Sequence, residues 1–97
     1  MAIITWTAES ERWLKEIYAY IAQDNPAAAV NVMEAIYDKV DVLRTFPSLG
    51  FRYDPESEDD IRILLYGHYR IAYLVKSDQQ IDILGIFHTA LKIERYL

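Results

Sequence analysis

The hydrophobic pattern of this chain changes period once. Apolar residues recur at helical spacing up to about residue 45 and at strand-like spacing from residue 61 onward. A chain that spends its helices first and its strands afterwards builds an α+β domain rather than the alternating βαβ units of a parallel sheet. Residues 2–6 form a short apolar run that reads as an opening strand. Thr7 then stands where a helix N-cap belongs, with Glu9 and Glu11 in the first turn to complement the helix dipole. The spacing predicts a helix to about Gln23, with Trp13, Leu14, Ile17, Tyr18 and Ile21 on one face. Asn25-Pro26 ends it and starts another, because asparagine caps orphan amides and proline fits the first helical position. This second helix is predicted over 26–45, with Ala29, Val32, Met33, Ile36, Val40 and Leu43 as its core stripe, until Phe46-Pro47-Ser48-Leu49-Gly50 stops it.

Beyond residue 60, three runs rich in Ile, Val, Tyr and Leu read as strands: 61–66, 69–76 and 81–87. Gly67-His68 is a two-residue loop suited to a tight hairpin, and 77–80 supplies the next turn. Residues 89–97 are expected to close the chain as a short helix. The expected architecture is α+β: an N-terminal strand, a helical hairpin, then an antiparallel β-meander of three or four strands with a short C-terminal helix. Residues 1–97 are expected to form one domain, since two would each be too small for a core.

Composition narrows the function classes. With no cysteine and two histidines, neither a thiolate metal site nor a cofactor is expected. No apolar run approaches the roughly 18 residues of a membrane span, and no leader pattern opens the chain, so a cytoplasmic protein with no membrane partner is expected. The net charge of −5 argues against general electrostatic binding of nucleic acid. Much of that acidity sits in residues 54–60, Asp-Pro-Glu-Ser-Glu-Asp-Asp, read as a solvated connection. The next stretch, 61–77, holds Arg62, Arg70 and Lys76 and no acid.

Several segments together resemble a known family: Ile4-Thr5-Trp6-Thr7-Ala8, Asn25-Pro26-Ala27-Ala28, Phe46-Pro47-Ser48-Leu49-Gly50, Tyr69-Arg70-Ile71-Ala72-Tyr73-Leu74-Val75 and Ile83-Leu84-Gly85-Ile86-Phe87-His88. In this order they look like the successive signatures of ParE/RelE toxins of type II toxin–antitoxin (plasmid stabilisation) systems. The resemblance implies a growth-inhibiting toxin neutralised by a cognate antitoxin, and it is closer to ParE. ParE-like members poison DNA gyrase, whereas RelE-like members cleave mRNA on the ribosome without a metal. An inactive antitoxin-binding relative is the third possibility. An unpartnered toxin is also expected to self-associate, as a homodimer, through its exposed apolar surface.

Metal-free RNA cleavage requires proton transfer and cationic stabilisation of the phosphorane-like transition state. By the resemblance, Arg70 falls on the family's strand arginine and His88 on its last-strand position, with Tyr96 as a terminal tyrosine. Those three are the catalytic candidates if the chain is a nuclease. The nuclease branch commonly has an arginine three residues further on, where this chain has Leu91. Under the binding reading, Arg52, Arg62, Arg70, Lys92 and Arg95 are the candidates for contacting the target or the antitoxin. Strand alternation puts Arg70 with Leu65, Ala72, Leu74 and Gly85, and puts Tyr69, Ile71, Tyr73, Leu84 and Ile86 on the other face. Periodicity does not choose which face the helices cover; if they cover the tyrosine and isoleucine face, as the resemblance implies, the small Ala72 and Gly85 are expected to leave room beside Arg70 for a partner's side chain. The alternative is an ion pair between Arg70 and an acid such as Asp82 or Glu94.

Overall fold

The computed structural model describes residues 1–97. Strand β1 (Ile3–Trp6) leads into α1 (Ala8–Ala22) and α2 (Pro26–Asp41), and then come β2 (Phe51–Arg52), β3 (Ile61–Tyr66), β4 (Tyr69–Ser77) and β5 (Gln80–His88). The sheet order is β1-β5-β4-β3-β2, with β1 parallel to β5 and every other pair antiparallel.

Local chemistry sets the helix starts as expected. The Thr7 hydroxyl oxygen accepts from the Ser10 amide at 3.1 Å and donates to the Ile83 carbonyl at 2.7 Å, so the cap also staples α1 to β5. Asn25 Oδ1 accepts the Ala28 amide at 3.1 Å, and Pro26 opens the next helix. The α-helical part of α2 is shorter than its predicted 26–45. At Val42–Arg44 it tightens into a 3-10 turn, a common way for a helix end to satisfy its last carbonyls. Gly67 has φ 55° and no other residue has positive φ, which is the pattern of a II′-type hairpin turn with glycine first.

Two elements differ from expectation. A two-residue strand, β2, pairs with β3 as Phe51↔Ile63 and Arg52↔Arg62, a contact too short to leave an alternation signal. The C-terminal helix expected over 89–97 shrinks to one 3-10 turn, Ile93–Arg95. Its first residue is held to the β3–β4 hairpin: the Thr89 amide donates to the His68 carbonyl at 2.8 Å. The remaining segment is too short to be helical without support.

The main core lies between the helices and one sheet face, where Leu14, Ile36, Val40 and Leu43 meet Leu64, Ile71, Tyr73, Ile81, Ile83 and Ile86. β1 ends opposite Ile83, and α1 packs along β5, where Ile86 is fully buried. The far face, here called the distal face, carries a second cluster of Ile63, Ala72, Phe87 and Ile93, with Tyr53, Leu84, Leu91 and Trp13 against it. Leu84 is therefore not on the face of Tyr73 and Ile86. Between Ala72↔Gly85 and Tyr73↔Ile83 the register shifts, and the extra residue on β5 inverts the alternation.

The room expected beside Arg70 is also filled. A Cβ placed on Gly85 would lie 2.5 Å from Phe87 Cζ, so the glycine is small in order to take the phenyl ring of its own strand. Trp13 meets that ring edge-on at 4.9 Å, and Tyr96 stacks on it at 5.1 Å.

Candidate functional site

β4 carries Arg70 opposite Leu65 on one side and Phe87 on the other, which places it on the distal face. Its Nη2 donates to the Leu91 carbonyl at 2.5 Å, and its Nε is solvent-inaccessible with no acceptor. No carboxylate pairs with it. Of the two acids proposed as partners, Asp82 is taken by Lys76 at 2.9 Å and Glu94 makes no ion pair. Hydrogen bonds from Lys76 first, and from Gln80, outweigh partial burial and hold the Asp82 carboxyl below the usual carboxylate range.

His88 ends β5 opposite Tyr69 and lies beside Ile86, Tyr69, Ile17 and Tyr20 on the helix side of the sheet. Its Nδ1 accepts the Ala90 amide at 3.1 Å, and its ring stands 6.0 Å from that of His68 and 5.8 Å from that of Tyr69. Burial first, and then the neighbouring Tyr20, raise the pKa of the Tyr69 hydroxyl. Arg70 and His88, one residue out of step across the β4–β5 ladder, thus point to opposite faces. Tyr96 joins Arg70's side, packed on Phe87 and, at 5.1 Å, on Trp13.

The five cationic candidates divide into two groups. Arg52 and Arg62 close the neck of the acidic segment. Both reach Asp60 Oδ1, at 3.4 and 2.9 Å, while Arg62 also donates to the Gly50 carbonyl at 2.9 Å and Arg52 to the Ser57 carbonyl at 2.9 Å. The segment is thus solvated along Asp54–Asp59 but clamped at its end. Lys92 and Arg95 are exposed and form no ion pair. They flank the 3-10 turn that follows the Leu91 carbonyl held by Arg70. The cluster is Arg70, Lys92 and Arg95 with the aromatic pair Phe87 and Tyr96.

Sequence reasoning assigned Trp13 to the core and missed that it reaches round to this cluster. It also missed Tyr73 as the anchor of the turn before β2. The Tyr73 hydroxyl, fully buried, accepts the Gly50 amide and donates to the Pro47 carbonyl, both at 2.8 Å. Burial raises its pKa, with the Gly50 bond opposing. Tyr73→Phe is expected to lower stability by about 1–3 kcal/mol, because both main-chain groups lose their partner. Urea titration checks this, with the far-UV circular dichroism spectrum unchanged.

No group of three or more His, Asp or Glu side chains is arranged to hold a metal ion, and no helix is long and apolar enough to cross a membrane. Residues 4–92 match the family model described as the ParE toxin of the type II toxin–antitoxin system parDE. The chain belongs to the ParE toxin family. It is 35% identical over 85 residues to a protein of Sinorhizobium fredii (strain NBRC 101917 / NGR234) named "Putative toxin Y4kP", covering 88% of this chain and 85% of that one. The fold is similar to a solved chain titled "Chromosomal ParDE TA system from P. aeruginosa", with a TM-score of 0.71, 24% identity, and 91% of this chain and 96% of that chain covered. This ParE-family chain is accordingly the toxin component of a type II toxin–antitoxin system, and its family implies a cognate antitoxin as partner.

Proposed function

We propose that this toxin arrests growth in the cytoplasm by binding DNA gyrase, without catalysis of its own, and that its antitoxin relieves the arrest. The observation that carries the reading is the split of the nuclease candidates: Arg70 lies on the distal face while His88 lies on the helix side. A phosphate seated on Arg70 is therefore screened from His88 by the sheet. Two further facts support it. The net charge of −5 opposes docking on ribosomal RNA, and the matching family model is that of ParE.

The cluster of Arg70, Lys92, Arg95 and Tyr96 is the contact surface in this reading, with the 97 residues acting as one unit. Arg52 and Arg62 are excluded from it because they hold the acidic segment. Large apolar side chains left exposed, among them Tyr20, Phe46, Phe51 and Leu65, favour self-association to a homodimer when the antitoxin is absent.

The test is induction of the toxin alone in bacteria, following the DNA-damage response and the integrity of a reporter mRNA in one culture. DNA damage with intact mRNA is the expected result. Rapid mRNA cutting without DNA damage overturns the reading and returns Arg70, His88 and Tyr96 to catalytic roles.

A further inference from the structure

One cavity lies apart from the cationic cluster. It has a volume of about 470 Å³ and opens where α1 meets the ends of β4 and β5, between walls formed by Trp13, Glu16, Tyr20, Tyr69, His88 and Leu91. That volume falls within the range of small-molecule sites. Trp13, Glu16 and Tyr20 reach it together because residues three and four apart share one face of α1. Tyr69 and His88 reach it as partners across the β4–β5 ladder, and the fully buried Ile86 closes its base. Tyr20 is 76% exposed, which leaves its ring open at the rim.

The electrostatics of these walls have one sign. Glu16 is their single carboxylate and forms no ion pair. Arg12, one helical turn before it, is taken by Glu9 at 2.6 Å, and no lysine or arginine lines the cavity. The last turn of α1, to which Tyr20 belongs, carries no basic residue, so the negative end of the helix dipole is uncompensated there. Positive charge and donors are scarce in return. Trp13 Nε1 is solvent-inaccessible, so the indole offers the cavity no donor. The His88 ring is uncharged, since its Nδ1 accepts the Ala90 amide. Aromatic rings, a free carboxylate and a helix C-terminus, on a chain of net charge −5, all favour a cation over an anion.

We propose that this cavity is a binding site for a small alkylguanidinium cation. The planar head of such a ligand stacks on the Tyr20 ring, and its fork of N–H donors meets both carboxylate oxygens of Glu16. Its alkyl stem lies on the apolar side chains of Ile17 and Leu91. An alkylammonium of the same length is a more strongly hydrated point charge that neither stacks nor pairs in a fork, so it binds less tightly. The gyrase reading is independent of this site, because its contact surface is the cluster around Arg70 on the distal face.

The test titrates the full-length toxin with n-butylguanidinium, follows the amide NMR shifts, and repeats the titration with n-butylurea as the neutral isostere. Saturable shifts centred on Glu16, Tyr20, Tyr69 and His88 are expected, with n-butylurea binding at least about tenfold more weakly. Glu16→Gln and Tyr20→Ala are expected to weaken n-butylguanidinium binding about tenfold and about threefold, with melting temperatures near that of the wild type because both side chains are exposed. Glu34→Gln removes the same charge from an exposed position on α2 and is expected to bind as the wild type does. Equal binding of n-butylurea, wild-type binding by Glu16→Gln, or equal losses from Glu16→Gln and Glu34→Gln overturns the proposal. Shifts centred on the acidic residues 54–60, or no saturation at millimolar concentrations, overturn it as well.

Discussion

Replacing Phe87 with alanine is expected to destabilise the toxin by about 3–5 kcal/mol, the range for removing a buried phenyl ring from a packed site. Phe87 is 2% exposed and closes the distal face: its ring lies over Gly85, receives Trp13 edge-on and carries Tyr96 in a stack. Its loss opens a cavity that Gly85 and Ala72 cannot fill, since neither has a side chain long enough to collapse into it. Exchange at Tyr96 and Leu97 is expected to quicken in the same variant, because residues 91–97 lose the ring on which Tyr96 rests. Urea denaturation with exchange measured in parallel checks both effects. A cost under about 1 kcal/mol would mean that the distal face repacks around the hole, contrary to the close packing that makes core deletions costly.

Ile36→Ala probes the other side of the sheet and is expected to cost about 2–5 kcal/mol. Ile36 is fully buried in the core between the helices and β3, β4 and β5. In a domain of this size each kcal/mol lowers the melting temperature by roughly 4–8 °C, so the shift is measurable by thermal scanning. The contrast between the two variants carries the information. The helix-side change is expected to leave exchange at Tyr96 and Leu97 unchanged under native conditions. The distal-face change is expected to accelerate it even where the rest of the molecule stays folded. Equal acceleration in both would mean that residues 91–97 open only with global unfolding.

The architecture was legible because its signals are local. Apolar spacing marked α1 and α2, Thr7 and Asn25 formed the caps their chemistry favours, and Gly67 supplied the single positive φ that a tight hairpin needs. The three long strands fell within a residue or so of their predicted bounds. The misses were contacts between segments far apart in the chain. β2 exists through a two-residue pairing with β3, and the C-terminal helix gave way to a 3-10 turn because the His68 carbonyl and Arg70 engage Thr89 and Leu91. The bulge at Leu84 put that side chain on the wrong face for any simple alternation.

Among the candidate residues the same division holds. Charge counting placed five cations in the chain's surface chemistry, yet Arg52 and Arg62 converge on Asp60 while Lys92, Arg95 and Arg70 remain without a carboxylate. The acidic run 54–60 lies between Arg52 and Arg62 in the sequence, but that both converge on Asp60 depends on where the loop returns.

By itself the sequence determined the order of helices and strands, their caps and turns, and membership of the ParE toxin family, all of which depend on residues close together or on patterns read in order. Only the tertiary structure decided which face each β5 side chain occupies, which arginines are spent on structure, and that Arg70 and His88 stand on opposite sides of the sheet. The physical reason is that periodicity specifies alternation but not the register shift that inverts it, and hydrogen-bond donors take whichever acceptor the folded chain brings within about 3 Å.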